Sequence, residues 1–332
     1  MVLIIMTIVL IMASYLGYTT KLEHLILVST NNELQSYYLT EGKILMSLYG
    51  DYYDKSLHPI ILDTFRNNSF KNIKSFAINK SDLNESDNYE NVSVSFADLD
   101  NKKSIVLKTE AEYRGRKTNM VATGTLVNDF FETNNPILNF ETIGDSNEES
   151  FNQLLLGIFD DLSIDFTGNP LDTYLREINN YEEIRLNQND DKTYSIISSR
   201  ETMGEPYVEN FDKNEFILII RDEEDIRPSL ILGEQEQEDT TMDLNGLIFV
   251  DGNIIISKNV NFNGIMIVKD GEIDVVSEKK LKINGIFICN NQMNRENKEG
   301  KIDVSYNKKY IYKYGTYLPG FLNLEINALK LN

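Results

Sequence analysis

The sequence predicts an α+β protein in which a long N-terminal transmembrane helix packs on an antiparallel sheet, followed by a small C-terminal parallel β-solenoid. Three observations predict this architecture. The first 18 residues carry no charged side chain, short alternating runs begin at Asn91, and glycine-punctuated repeats fill residues 244–304. The expected domains are a stem helix over 1–55, an α+β head over 56–240, and a repeat domain with a C-terminal cap over 241–332.

Residues 1–18 can cross a bilayer once as a helix. At about 1.5 Å per residue they extend about 27 Å, close to the hydrocarbon thickness. No Lys or Arg precedes the run and no small-x-small cleavage site is present, which argues against a cleavable secretory signal. We expect this segment to be inserted in a membrane.

The helical pattern continues well beyond the apolar segment. No proline occurs between residues 20 and 54, and apolar side chains recur on one helical face at Leu27, Leu34, Tyr38, Leu45, Leu48 and Tyr52. Ser36 and Lys43 fall opposite that face, so the apolar face is predicted to dock on the soluble head. The pair at His58 and Pro59 is expected to end the helix.

A family resemblance rests on this region. The uncharged opening and the segment Gln35-Ser36-Tyr37-Tyr38-Leu39-Thr40-Glu41-Gly42-Lys43-Ile44 resemble the stem of type IV pilus minor pilins of the PilX kind and of GspK-like minor pseudopilins of type II secretion. The resemblance implies a structural, non-enzymatic subunit that binds other pilin subunits through its N-terminal helix. It also implies residence in the cytoplasmic membrane before assembly and in an extracellular pilus afterwards.

The resemblance identifies Met1, Ile5, Tyr37, Tyr38 and Glu41 as assembly residues. Either a basic leader is absent from the sequence or Met1 is the mature first residue. Major pilins carry a stem glutamate where this chain has Ile5, and a buried carboxylate is tolerable only when it is paired. The missing glutamate implies a place at or near the filament tip, with a role in initiation or assembly, although an internal position stays open.

The middle of the chain predicts a meander and two helices. Alternating runs at 92–96, 104–113 and 118–127 predict antiparallel strands. Ser146 and Glu149 have the spacing of a capping box and are expected to begin one amphipathic helix. Asn169 and Pro170 are expected to begin a second helix that buries Leu171, Tyr174, Leu175 and Ile178. Later runs at 194–197, 216–220 and 230–232 predict strands, and the acidic stretch 234–239 predicts a loop between domains.

The C-terminal repeats share an Asn-Gly step followed by an apolar strand. The step occurs at 245–246, 263–264 and 284–285, and second strands follow the glycine turns near residues 252, 271 and 300. Two strands per unit of about twenty residues favour a parallel β-solenoid. Cys289 is expected to be inert core, and the tyrosines between Tyr306 and Tyr317 are expected to pack structurally.

Composition disfavours several classes of function. The net charge of -20, from 32 Lys+Arg and 52 Asp+Glu, opposes binding to nucleic acid. One cysteine and two histidines leave little for a metal centre, although the turn 98–101 is a weak calcium candidate. No cofactor is expected.

Catalytic motifs are incomplete. Gly144-Asp145-Ser146 resembles an esterase nucleophile block but no histidine follows it, and Ser305 with Lys308 lacks the partner motifs of serine acyltransferases. The carboxylates of Asp251 and Asp270 could support glycoside hydrolysis in principle. The alternative interpretation is therefore a membrane-anchored solenoid adhesin or glycan-active surface enzyme.

Overall fold

The computed structural model describes residues 2–84, 87–162, 173–189, 193–200, 204–213, 215–222, 226–234, 240–290 and 300–331. The helices are α1 Val2–Leu48, α2 His58–Arg66, α3 Phe140–Ile143, α4 Glu148–Asp161 and α5 Lys308–Gly315. The strands are β1 Lys74–Ala77, β2 Asn91–Leu99, β3 Lys102–Tyr113, β4 Arg116–Val127, β5 Ile137–Leu138, β6 Thr173–Asn179, β7 Glu183–Gln188, β8 Tyr194–Ser199, β9 Tyr207–Phe211, β10 Glu215–Arg221, β11 Ser229–Leu232, β12 Met242–Asp251, β13 Asn253–Ile256, β14 Val260–Lys269, β15 Ile273–Val275, β16 Leu281–Cys289, β17 Ile302–Tyr306 and β18 Leu322–Leu331. A long N-terminal helix and large sheets therefore make a mixed α+β protein, as predicted.

The chain forms two compact units, and the second is inserted in the first. Unit 1 comprises Met1–Thr64, Ser69–Leu126 and Leu324–Asn332, and unit 2 comprises Phe65–Asn68 and Val127–Asn323. The C-terminal strand β18 returns to the sheet of unit 1 beside β4. These bounds differ from the expected domains 1–55, 56–240 and 241–332, because neither the return of β18 nor the extent of unit 2 has a signal in the local sequence.

Unit 1 is built on a five-stranded sheet in the order β1-β2-β3-β4-β18. Strands β1 to β4 pair antiparallel, which confirms the predicted meander. Two-residue turns at 100–101 and 114–115 join its hairpins, and all four residues have positive φ. Such turns match the right-handed twist of the paired strands. The first turn overlaps the weak calcium candidate, where Asp98 instead forms an ion pair with Lys103 at 2.5 Å.

The prediction that His58 and Pro59 end the stem helix is wrong. Helix α1 ends at Leu48, and Gly50 then adopts a left-handed φ of 64°. Helix α2 begins at His58 directly after a π-helical turn over Tyr53–Leu57, so His58 and Pro59 lie where one helical segment continues into the next and not at the end of the stem helix.

Unit 2 contains two ladders of parallel strands. One sheet has the order β17-β16-β14-β12-β10-β6, and the other has the order β15-β13-β11-β7-β8-β9. All neighbours in the first sheet pair parallel. In the second, β7, β11, β13 and β15 pair parallel, whereas β8 and β9 add antiparallel. The predicted strands at 194–197, 216–220 and 230–232 are confirmed.

The repeated Asn-Gly steps align across the first sheet. Gly246, Gly264 and Gly285 are direct partners in the register. The asparagines before them form a ladder, in which Asn263 Nδ2 donates to Asn245 Oδ1 at 3.0 Å and Asn284 Nδ2 donates to Asn263 Oδ1 at 3.1 Å. The motif therefore satisfies one side-chain amide with the next along the stack.

Two predicted local structures differ. Tyr174, Leu175 and Ile178 lie in strand β6, because this segment pairs in register with β10. Asn169, Pro170 and Leu171, in the first turn of that predicted helix, lie outside the described residues.

The capping box predicted at Ser146 and Glu149 is also absent. Helix α4 begins at Glu148, and its N-cap Asn147 makes no side-chain bond. A short 3₁₀ turn over Asp145–Asn147 comes between Ser146 and the helix. A capping box is present instead at the N-terminus of α3, where the Asn139 side chain accepts from the backbone N–H of Thr142 at 2.9 Å.

The sequence predicts a loop between domains at the acidic stretch 234–239. Strands β11 and β12, which precede and follow it, belong to the two ladders of the same unit. Residues 235–239 are outside the described residues. The sequence predicts a domain boundary near residue 240 because the Asn-Gly repeats begin after it. Unit 2 also contains β6 and β10, which precede that boundary and carry no Asn-Gly step.

Candidate assembly site

The first half of α1 makes no contact that buries it. The most apolar window of this helix is 0% buried, and by length and composition α1 can cross a membrane. Buried residues on α1 begin only at Ser36. Since the helix has 47 residues, it is about 70 Å long at 1.5 Å per residue. Exposed apolar side chains recur from Val2 to Val28, over more than half of that length, and the described parts of the chain leave them uncovered.

The face by which α1 docks on its sheet is polar, contrary to the prediction. The buried side chains are Ser36, Thr40, Lys43, Ile44 and Ser47. The predicted apolar face is the free one instead: Leu27 is 69% exposed, Leu34 47%, Tyr38 54% and Leu45 46%.

The reason for this reversal lies in the sheet. Ser36 Oγ donates to the backbone oxygen of Ala111 at 3.0 Å, and Thr40 Oγ1 donates to the oxygen of Ser36 in its own helix at 2.7 Å. Short hydroxyl side chains let the helix backbone approach β3 closely while their polar atoms stay bonded.

Lys43 is the centre of this docking contact. Its Nζ lies 2.5 Å from Asp87 Oδ2, donates to the backbone oxygen of Glu110 at 2.7 Å, and also donates to the backbone oxygen of Tyr89. The side chains of Lys43 and Asp87 are 2% and 0% exposed. The other carboxylate oxygen, Asp87 Oδ1, accepts from the backbone N–H groups of Tyr89 at 3.1 Å and Glu112 at 3.3 Å.

Burial is the largest influence on the Lys43 ammonium. Desolvation lowers the pKa of Lys43, and the hydrogen bond and charge of Asp87 oppose that shift. The unfolded chain therefore binds this proton more tightly than the folded protein. Lys43 makes the free energy of unfolding rise as pH increases toward the ordinary lysine pKa of 10.5.

The predicted assembly residues are spread along α1. Met1 lies outside the described residues, and Ile5 is 55% exposed within the apolar half. Tyr37 and Tyr38 are 5.7 Å apart in an edge-to-face arrangement, and Tyr38 is exposed. Glu41 is half-buried, and its spacing of seven residues from Leu34 places it toward the stripe of Leu34 and Leu45 rather than toward the docked face. Sequence reasoning missed Lys43 and Asp87, because an isolated lysine in a helix gives no sign of a carboxylate 44 residues away.

The candidate nucleophile and carboxylates are bound within the fold. Cys289 is buried, and burial raises the pKa of its thiol to about 12, so it is not a thiolate near neutral pH. Asp251 Oδ2 accepts from Lys269 at 2.9 Å, and Asp270 Oδ1 accepts from Asn290 at 2.7 Å.

The hydroxyl candidates occupy ordinary structural positions. Ser146 lies in the 3₁₀ turn before α4, and Ser305 Oγ donates to the backbone oxygen of Ile283 at 3.3 Å. Within the described parts of the chain, no group of three or more His, Cys, Asp or Glu is placed to hold a metal ion.

The C-terminal tyrosines pack inside unit 2, as predicted. Tyr312 and Tyr314 are buried, and Tyr312 Oη donates to Glu132 Oε1 at 2.6 Å. Tyr306 Oη donates to the backbone oxygen of Phe131 at 2.7 Å. Burial raises the pKa of Tyr306 and of Tyr314 well above the usual range of tyrosine.

Comparisons with known proteins give a likeness among solved structures. No protein-family model matches the chain, and no curated protein matches it. Among solved structures, the chain is similar to the competence-associated pilin ComZ from Thermus thermophilus, with a TM-score of 0.25 and 8% sequence identity. The alignment covers 91% of this chain and 97% of that chain. A likeness at this level carries no argument about function.

Proposed function

We propose that this protein is a structural subunit of an extracellular type IV pilus or of a type II secretion pseudopilus. The observation that supports this proposal is the division of α1 into two halves. One half is apolar and 0% buried in its most apolar window, and the other is held to a sheet by the buried Lys43 and Asp87 pair. The apolar half of such a helix can lie in a membrane and can later pack against the stem helices of neighbouring subunits. The half that carries Lys43 stays docked on the sheet in both situations.

The proposal includes a minor subunit at or near the filament tip, with a role in initiation or assembly. Ile5 supports that place, since an apolar side chain cannot form the stem pairing that a carboxylate makes with a neighbour. Other pilin subunits are the proposed partners, and the cytoplasmic membrane is the proposed location before assembly.

We also propose that unit 2 is a non-enzymatic β-solenoid with six stacked levels rather than three. The alternation of β12, β13, β14, β15 and β16 between two parallel ladders supports this interpretation. Strands β10 with β11, and β6 with β7, supply two further levels. Strand β17, expected from the sequence as a second strand of the third repeat, instead pairs with β16 in the first ladder and adds the sixth level. The internal partners of Asp251, Asp270 and Cys289 support a structural role for these residues.

The test is to express the full chain with an epitope tag in a piliated host and to separate membranes from sheared filaments. We expect the tag in both fractions, with filament label confined to tips in immunogold microscopy. Recovery from membranes alone, with filaments that never contain the tag, would contradict the proposal.

Ile5→Glu tests the assembly role of that position. We expect this variant to change the site of label along the filament or the number of filaments. Ile4→Glu is the matched control, because it places the same charge one residue away on a side chain that is also exposed, 66% against 55%. Equal filament number and labelling in wild type, Ile5→Glu and Ile4→Glu would count against a special role for position 5.

A turnover measurement distinguishes the alternative of a glycan-active surface enzyme from the proposed structural role. Incubation of the full chain in detergent with cell-surface polysaccharides should release no reducing ends. Sustained release would refute a purely structural role.

A further inference from the structure

A polar cavity of about 430 Å³ lies in unit 1, on the face of the sheet opposite its buried side chains. Its floor is made by β2, β3 and β4, where Ser93 is paired with Lys108 in the register and Lys108 is paired with Val121. The buried residues Leu107 and Ala111 of β3 point to the other face, since side chains alternate along a strand. The volume falls in the range of small-molecule sites.

The wall of the cavity is the segment 88–91, which carries an aromatic ring. Tyr89 lines the cavity, and Lys117 Nζ lies 4.4 Å from the centre of its ring. Lys117 is also paired with Glu110 Oε2 at 2.6 Å. Lys117 therefore contacts both the Tyr89 ring and the Glu110 carboxylate, and it holds both groups in position before any ligand binds.

Two polar groups in the cavity have no partner in the described residues. Asn119 Oδ1 is buried and accepts no hydrogen bond, and Asn119 is paired with Glu110 in the register. The side chain of Lys108, which is exposed and lines the cavity, forms neither a hydrogen bond nor an ion pair within the described chain. A buried acceptor without a donor costs free energy unless a bound molecule supplies one.

The charges around the cavity are balanced. Glu110 is paired with Lys117, which leaves the carboxylate of Glu90 and the ammonium of Lys108 among the lining groups. A balanced pair favours a neutral ligand over an ion. The ligand must also donate to Asn119 Oδ1 and accept from Lys108 Nζ, and a hydroxyl can do both.

We propose that this cavity binds a neutral sugar residue of a glycan. Neighbouring hydroxyls of the sugar donate to Asn119 Oδ1 and accept from Lys108 Nζ, while the sugar ring lies against Tyr89. This site goes beyond the proposed assembly role and does not use the stem half of α1, so either proposal can fail without the other.

Saturation-transfer NMR on the full chain in detergent tests the site. The probes are D-galactose, D-glucose and N-acetyl-D-glucosamine, each added separately, with N-acetylneuraminic acid as the anionic comparison. We expect transfer from at least one neutral sugar. The Kd should rise about tenfold in Lys108→Met and about fivefold in Asn119→Leu, as for the loss of a charged and of a neutral hydrogen bond.

Two controls keep the outcome interpretable. Lys108→Arg keeps a cationic donor and should bind within about threefold of wild type. Lys71→Met removes an exposed lysine of the same unit that does not line the cavity, and should bind as wild type does. The proposal is overturned by absence of transfer from all three neutral sugars, by transfer from the anionic sugar alone, or by equal Kd values in wild type and Lys108→Met.

Discussion

Gly264→Ala tests why the repeats of unit 2 carry glycine after asparagine. A Cβ atom at Gly264 would lie 1.8 Å from the backbone oxygen of Gly246 on the next strand, whereas ordinary contacts begin at 3.4 Å. Both atoms belong to paired backbones, so no side chain can turn away to relieve the contact. The strands would have to separate by about 1.6 Å, a third of the usual spacing of about 4.8 Å between strands.

The cost follows from that separation. Overpacking of a well-packed region costs about 1–3 kcal/mol, and each weakened ladder hydrogen bond adds about 1 kcal/mol. Reduced entropy of the unfolded chain returns about 0.4–1 kcal/mol. We expect Gly264→Ala to lower the free energy of unfolding by about 3 kcal/mol, and the Tm of unit 2 by about 6–12 °C.

Differential scanning calorimetry of the full chain in detergent measures the effect. Gly157→Ala is the matched control, because Gly157 belongs to the same unit, lies in helix α4 and would have no atom within 4 Å of an added Cβ. This control should stabilise the protein by about 0.5–1 kcal/mol. A Tm for Gly264→Ala equal to that of wild type would refute the close-approach argument.

Three further perturbations follow from the structure. Lys43→Met should lower the free energy of unfolding by about 3–5 kcal/mol in urea titrations, because it leaves a buried carboxylate unpaired. Lys55→Met is the control: it removes an ion pair in which both side chains are more than 70% exposed, and it should change the free energy of unfolding by less than about 1 kcal/mol. Leu34→Arg should leave the Tm unchanged but reduce recovery of the protein in sheared filaments. Ile44→Arg, at a buried position, should reduce the Tm itself. Equal filament recovery for Leu34→Arg and wild type would argue against packing of neighbouring stems on the exposed face that carries Leu34. Because the folded pKa of Tyr314 is raised by burial above its unfolded value of 10, its stabilising contribution is complete below pH 10 and is lost as pH rises beyond it. The tyrosinate absorbance that wild type shows and Tyr314→Phe lacks should therefore develop together with the loss of circular dichroism in an alkaline titration, and its development in a still folded protein would contradict this.

Local patterns predicted the elements that neighbours in the sequence define. Alternation over 92–127 predicted the hairpins of unit 1, and the Asn-Gly steps predicted three strands that pair in register. The segment at Tyr174 was assigned wrongly, because apolar residues at 171, 174, 175 and 178 also fit a helical period. Pairing with β10 decided in favour of a strand, and that partner lies about 40 residues away.

The docking face of α1 shows why periodicity alone was insufficient. Apolar spacing placed Leu34 and Leu45 on one face of the helix, but it did not predict that this face is exposed and that the opposite face docks on the sheet. The docked face depends on backbone oxygens of β3 and on Asp87, which accept from Ser36 and Lys43. Nothing in the helix sequence encodes where those acceptors lie.

By itself, the sequence determined that a long helix begins in an apolar segment, that a meander follows, and that in-register repeats build a parallel sheet. These properties depend on residues close in the chain, whose spacing sets which side chains share a face. Only the tertiary structure decided that unit 2 is inserted before β18, that its ladders extend back to β6, and that a buried ion pair holds the stem. Those features depend on contacts between distant segments, and such contacts leave no periodic signal in either segment alone.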